Sequence, residues 1–222
     1  AGALFIFLTG APHIHLISLR IASPIEIQGG RLTVTNCTFA SSRPILGRIF
    51  EQSEGDVSIQ WSTFAHLPQG AILLTGGTLF RRDSSIKDNS ADLGGGMHLT
   101  GGTATVVRCN FTSNSAERGG ALFVSGSARL SLGNRTLMTG NRALVGGSWS
   151  DGESGGASVY FERGDAEYLL PAPLGRYLFT SGSTSFRLTK SINVDFPFAC
   201  PGESPCSHSA LDSALTRSGV HG

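Results

Sequence analysis

Ala104-Thr-Val-Val-Arg-Cys-Asn-Phe111 carries apolar side chains at its first, third, sixth and eighth positions. The same spacing recurs along the chain. With Ile21, Phe39, Phe64, Ile86, Phe111 and Leu137 as anchors, the residues seven earlier are Ile14, Leu32, Val57, Leu79, Ala104 and Leu130. Five earlier stand Leu16, Val34, Ile59, Arg81, Val106 and Leu132, and two earlier stand Leu19, Cys37, Ser62, Ser84, Cys109 and Arg135. Charge enters these positions only at Arg81 and Arg135. The anchors lie 18, 25, 22, 25 and 26 residues apart, which is the period of a solenoid coil and not of a heptad or a sandwich strand.

Side chains alternate faces along an extended chain, so the first pair of positions shares one face and the second pair shares one face. The odd step between the pairs demands a bend, after which both pairs point into a common interior. Turns precede each repeat at Gly29-Gly30, Gly55, Gly76-Gly77, Gly101-Gly102 and Gly126. Upstream of such turns lies a second short strand, as in Ala3-Leu-Phe-Ile6, Ala71-Ile-Leu-Leu74, Met97-His-Leu99 and Ala121-Leu-Phe-Val124. The expected fold is all-β, a right-handed parallel β-helix of about six to seven coils over residues 1–170, with 171–222 as an irregular extension. Coils in such a stack lie ~4.8 Å apart. One coil cannot stand alone. Burying four core side chains contributes roughly 1.5–3 kcal/mol each, against about 1–2 kcal/mol of backbone entropy for every ordered residue. Neighbouring coils must supply the rest. Arg81 at an inward position predicts a one-residue slip that would bring Phe80 into the core instead.

Composition removes several function classes. Among 222 residues the net charge is +1 and only 15% are charged, with no basic run, so nucleic acid is not an expected partner. The longest apolar stretch, Ala3-Leu-Phe-Ile-Phe-Leu8, falls far short of the ~20 residues of a membrane-spanning helix. An opening inside a repeat, with no initiating Met, leads us to expect a processed product or an internal piece of a longer protein.

Phe111-Thr-Ser-Asn114 followed by Gly119-Gly-Ala-Leu122 resembles the paired FxxN and GGA[ILV] tetrapeptides of the chlamydial polymorphic outer-membrane proteins and related cell-surface β-helix proteins. Further copies are Ile86-Lys-Asp-Asn89 with Gly95-Gly-Met-His98, Phe64-Ala-His-Leu67 with Gln69-Gly-Ala-Ile72, and a late Gly155-Gly-Ala-Ser158. The likeness covers about residues 20 to 160. It implies an adhesive or structural role outside the cell, within a larger chain.

Individual residues add detail. Asn89 and Asn114, each three after an anchor, are placed for an amide ladder between coils. Asn36, Asn110 and Asn134 head N-x-[ST] tripeptides and fall at outward positions, which makes them glycosylation candidates and favours an extracellular or cell-surface location. Cys37 and Cys109 share one position three coils apart, ~14 Å at the strand spacing, too far for a disulfide and best read as small buried hydrophobes. Cys200 and Cys206 enclose a Pro/Gly turn and form a disulfide candidate; zinc with His208 is the rival reading.

The only cluster of charge that suits catalysis is Arg81, Arg82, Asp83, Lys87, Asp88 and Asp92, all in one coil. A solenoid active site needs carboxylates stacked across coils, and the aligned neighbours are Gln60, Trp61, Val107 and Arg108. A solvated face explains the cluster better. His98 is expected to be exposed, residues 142–156 to form a long Gly/Ser-rich loop, 157–161 a further strand, and Leu170-Pro-Ala-Pro173 to leave the ladder because proline cannot donate to it. We expect an extracellular structural or adhesive module with no catalytic, metal or cofactor site. Its ends would engage other subunits or the rest of a longer chain, and its faces glycans. The alternative is a carbohydrate-active β-helix that binds or cleaves acidic polysaccharide. A third reading, an ice- or surface-binding row of Thr33, Ser58, Thr105 and Ser131, is interrupted by Phe80.

Overall fold

The computed structural model describes residues 13–41, 45, 47–133, 136–145, 148–150, 159–161, 167–172, 178–180 and 185–190. Regular structure there is strand alone, wound into a parallel β-solenoid of about five turns. Backbone groups along one coil find partners on the coils above and below, which removes the unpaired edge of a single strand. Two long strands, Ile25–Thr35 and Phe50–Gln60, run along two sides of the coil without a break. In later turns each divides at a glycine. Ile72–Leu74, Met97–Leu99 and Leu122–Val124 continue the first side, and Thr78–Arg82, Thr103–Val107 and Arg129–Leu132 the second. A third side stacks Arg20–Ile21, Thr38–Ala40, Thr63–Ala65, Ser85–Lys87, Asn110–Thr112 and Leu137–Thr139. A fourth run is shorter, with Ser90–Leu93, Ser115–Arg118 and Arg142–Val145.

The interior is the set of positions that the alternation selects. Leu32, Val57, Leu79, Ala104 and Leu130 form one buried column, and Val34, Ile59, Arg81, Val106 and Leu132 the next. On the third side Ile21, Phe39, Phe64, Ile86 and Phe111 stack as predicted, all at most 9% exposed. The rings of Phe39 and Phe64 lie 4.1 Å apart and nearly parallel, and Phe50 meets both edge-on at 6.2 Å, an arrangement that adds to simple burial.

Leu137 is a correction to that column. Phe111 pairs with Met138, which is buried, whereas Leu137 pairs with Asn110 and is 38% exposed. From Val106 to Asn110 is four residues, but from their partners Leu132 to Leu137 is five. The corner of that coil holds one extra residue, and side chains beyond it change faces.

Arg81 is a second correction. No slip occurs: Arg81 pairs with Ile59 and Val106, is fully buried, and leaves Phe80 37% exposed. A slip would turn Leu79 out of the core and break the ladder with both neighbouring coils, while the long Arg stem packs among apolar side chains as it stands. Its guanidinium carbon sits 4.3 Å from the Phe64 ring centre, and Nη2 donates to the Ser85 carbonyl at 3.2 Å. Nε and Nη1 have no hydrogen-bond partner.

Further along, the stretch expected to be a loop begins with Arg142–Val145 and Ser148–Ser150, which pair antiparallel through Leu144 and Trp149. The ladder also passes the boundary set at residue 170. Val159–Phe161, the further strand expected there, pairs with Leu178–Thr180, and Glu167–Ala172 pairs with Ser185–Lys190, Pro171 lying opposite Thr189. Only Tyr168 and Leu169 of that strand pair with the coil before it, so Pro171 faces no partner there. Gly155–Ser158, Asn134, Cys200 and Cys206 lie outside the described residues.

Candidate functional site

Two corners flank the third side, and both hold non-glycine residues in the left-handed region. Ser18, Asn36, Trp61, Asp83 and Arg108 occupy the first, with φ between 48° and 55°. His66, Asp88 and Ser113 occupy the second at 55° to 57°, followed by Gly140 at 61°. That geometry turns the backbone N–H toward the next coil: Asn36 N donates to Gln60 O and Asp83 N to Val107 O, each at 3.1 Å, and Asp88 N to Thr112 O at 3.0 Å. Short polar side chains tolerate this conformation; a bulky ring does so under strain. Trp61 is the largest side chain held there, with Arg108 and His66 the other long or cyclic ones.

Inside the corners, polar side chains form ladders. Asn89 and Asn114 are buried and stack as expected, and Asn141 extends the row. Asn89 Nδ2 donates to Asn114 Oδ1, and Asn114 Nδ2 to Asn141 Oδ1, each at 3.0 Å. The same Nδ2 groups cap the carbonyls of Phe64, Ile86 and Phe111, while each Oδ1 accepts a backbone N–H from the preceding coil, that of Leu67, Asn89 or Asn114. Asn141 was legible as three after Met138, and was hidden by anchoring on Leu137. A second ladder was missed altogether. Ser62 and Ser84 accept the N–H of Cys37 and Ser62 at 3.1 Å and donate to the carbonyls of Gln60 and Arg82. Cys37 and Cys109 occupy the same column as buried free thiols, in line with their reading as small core residues. Burial pulls the Arg81 guanidinium down to about 10, the Cys109 sulfur beside it acting the other way.

The outward face of the second side has a different character. Its row Thr33, Ser58, Phe80, Thr105, Ser131 is small and polar except at Phe80. Two residues further on lie Thr35, Gln60, Arg82 and Val107, and at the corner the exposed Trp61 and Arg108 and the half-buried Asp83. Trp61 is 56% exposed. The Arg82 guanidinium lies over its ring at 5.5 Å, while Arg82 Nη2 donates to Gln60 Oε1 at 2.9 Å. Arg108 holds Asp83 through two parallel bonds of 2.6 and 2.7 Å, and Arg82 reaches the same carboxylate at 3.9 Å. The bond from Arg108 keeps the Asp83 carboxyl below the usual carboxylate range. A carboxylate so held stays ionised and is a poor proton donor.

Of the six charged residues singled out, then, the fold turns Arg81 inward, brings Arg82 and Asp83 together with Arg108 from the next coil, and sends Lys87, Asp88 and Asp92 to exposed positions elsewhere on the coil. Among the described residues no three His, Cys, Asp or Glu converge to hold a metal. Asn36 and Asn110 are exposed, with Asn36 Nδ2 donating to Ser18 Oγ at 3.0 Å.

His98 departs from expectation. It stands in an outward column with Leu73, Phe123 and Tyr160, its ring edge-on to Phe123 at 5.1 Å. Burial, reinforced by the positive charge of Arg48, pushes it down to about 4. Arg48 is itself buried and was not singled out in the sequence. It reaches across two coils, Nη1 donating to Ile72 O at 3.3 Å and Gly94 O at 2.9 Å, Nη2 to Leu93 O. No protein-family model, curated protein or solved structure matches this chain.

Proposed function

We propose that this chain is an extracellular structural or adhesive solenoid module, working through its length and its exposed sheet faces. The observation that carries the reading is the outward row Thr33, Ser58, Phe80, Thr105, Ser131. Inter-coil pairing holds it in unbroken register, so the surface is repetitive and preorganised, which suits contact with an extended partner. Kinship with the chlamydial polymorphic outer-membrane proteins is part of the proposal. It is supported by the roles of the shared motif: Phe111 fills the core, Asn114 joins the amide ladder, and Gly119 adopts φ 62° where an added Cβ would lie 2.1 Å from the Leu122 carbonyl oxygen. Pairing of Met97 with Leu122 makes Gly94-Gly-Gly-Met97 the true counterpart of that motif, one residue ahead of the copy read from sequence.

Location outside the cell is supported by the exposed sequons at Asn36 and Asn110. Expression through a secretory pathway should add mass that peptide N-glycosidase removes. The role is tested by coating beads with the full chain, scoring attachment to cell surfaces, and incubating the soluble chain with acidic polysaccharides with and without calcium. Attachment without release of unsaturated or reducing sugar is expected. Product release above background would replace the reading with the carbohydrate-active alternative.

A further inference from the structure

Large aromatic side chains interrupt the polar surface of the second side twice, and both interruptions lie in adjacent coils. Trp61 takes a corner position where the other described coils carry Ser18, Asn36, Asp83 and Arg108, and it does so at φ 48°. A ring held exposed in a strained backbone conformation costs stability twice, and such outliers cluster at sites of function. Phe80 takes a position where the neighbouring coils carry Ser58 and Thr105. Trp61 follows Gln60, which pairs with Arg82, so the backbone positions of Trp61 and Phe80 lie about three residues along the chain and one coil apart, at most ~11 Å at β spacing. That separation is comparable with a disaccharide. Arg82 lies between them, braced by Gln60 and Asp83, and Arg108 stands beside it.

Charge on this strand is lopsided. Two guanidinium groups, those of Arg82 and Arg108, meet the carboxylate of Asp83, while Arg81 lies in the core behind them with no carboxylate partner among the described residues. A positive charge behind a low-dielectric sheet is weakly screened and favours an anion on the outer face.

We infer that Trp61 and Phe80 form a stacking platform for an anionic saccharide, with Arg82, aided by Arg108, binding its carboxylate or sulfate group. This rests on the adhesive reading above and names the ligand class for one face. Sugar rings present C–H faces to aromatic rings, and guanidinium groups match the geometry of oxyanions. The regular ladder face suits an extended chain, and the ionised, Arg-held Asp83 makes this a binding site without turnover.

The test uses the full chain and four probes of matched length: a sulfated heparin hexasaccharide, a hyaluronan hexasaccharide carrying carboxylates only, neutral cellohexaose and a single-stranded DNA hexamer. Titration calorimetry is run on the wild type and on W61N, F80T and R82Q, variants that copy residues or polarity found at aligned positions and so preserve the coil. Saturable binding to one or both anionic saccharides is expected, weakened at least about tenfold in each variant, with melting temperatures equal to or above that of the wild type. Preference between heparin and hyaluronan distinguishes sulfate from carboxylate recognition. Equal affinity for cellohexaose, tighter binding of DNA, variants that bind as the wild type does, or no binding to either anionic saccharide overturns the inference. Bead attachment to cells is scored for W61N and F80T in parallel. Attachment that persists without saccharide binding sinks the platform alone, whereas a wild type that binds neither cells nor saccharides sinks the adhesive reading with it.

Discussion

At the scale of single residues, the interior tolerates polarity only where hydrogen bonds answer it, and the degree of satisfaction orders the effects of substitution. Asn114 sits mid-ladder, accepting from Asn89 and donating to Ile86 O and Asn141. Asn114→Leu strands at least one buried backbone N–H and one carbonyl, so a loss of about 3 kcal/mol in chemical denaturation is expected; an unchanged midpoint would remove the ladder from the account of stability. Arg81 behaves oppositely, because Nε and Nη1 are unanswered. Replacing a buried, poorly paired charge by a hydrophobe of similar length is often stabilising, and Arg81→Met is expected to gain about 1–3 kcal/mol by the same measurement. His98 supplies a pH dependence. Its folded value of about 4 lies below the ordinary 6.5, so between those values the unfolded chain binds the proton that the folded chain refuses. Stability from this group is complete above pH 6.5, falls as pH drops toward 4, and is flat below; partial exposure screens the charged form and keeps the effect below the roughly 3 kcal/mol of the undiminished shift. His98→Leu, matching Leu73 in the same column, should flatten the pH 4–6.5 segment of the stability curve relative to wild type.

At the scale of the element, the repeating unit is a coil whose sides are set by alternation and whose corners are set by close backbone approach. Gly95 shows why the glycine pair recurs. A Cβ there would lie 2.5 Å from Ser115 O and 2.6 Å from Gly120 O, both backbone atoms of the next coil. Neither can swing aside as a side chain would. Gly95→Ala therefore forces adjacent coils apart, and a loss of about 2–3 kcal/mol is expected by thermal melting, with faster amide exchange at Ala71 and Ser115, whose N–H groups bridge coils at this corner. The corners are also where sequence reading loses register. Alternation predicts which face a side chain takes only within an unbroken strand, so the one-residue enlargement before Thr136 converts Leu137 from core to surface and Met138 from surface to core. Arg81 shows the converse, for an inward charge looked like a sign of slippage until the ladder on both sides fixed its place.

For the whole molecule, cohesion comes from stacking, and Arg48 is a staple across the stack. Its guanidinium binds carbonyls from the two following coils at Ile72, Leu93 and Gly94, bonds to a charged donor contributing about 1.5–3 kcal/mol each where they are buried. Arg48→Met should lower the unfolding free energy in chemical denaturation by several kcal/mol and open the first coils to protease before the later ones; uniform, unshifted cleavage would contradict the staple. Spacing, alternation and glycine turns were enough to determine a parallel solenoid, the buried columns and the pairing of Asn89 with Asn114, because these depend on local periodicity repeated coil after coil. The tertiary structure alone decided the rest. Arg48, the Ser62 and Ser84 ladder, the desolvated His98 and the grouping of Trp61, Phe80, Arg82 and Arg108 all join residues about one or two coils apart, and a pattern with period two specifies faces without saying which side chains meet across a corner. Contact across coils depends on the length of each turn, and that length is set by how closely neighbouring backbones pack.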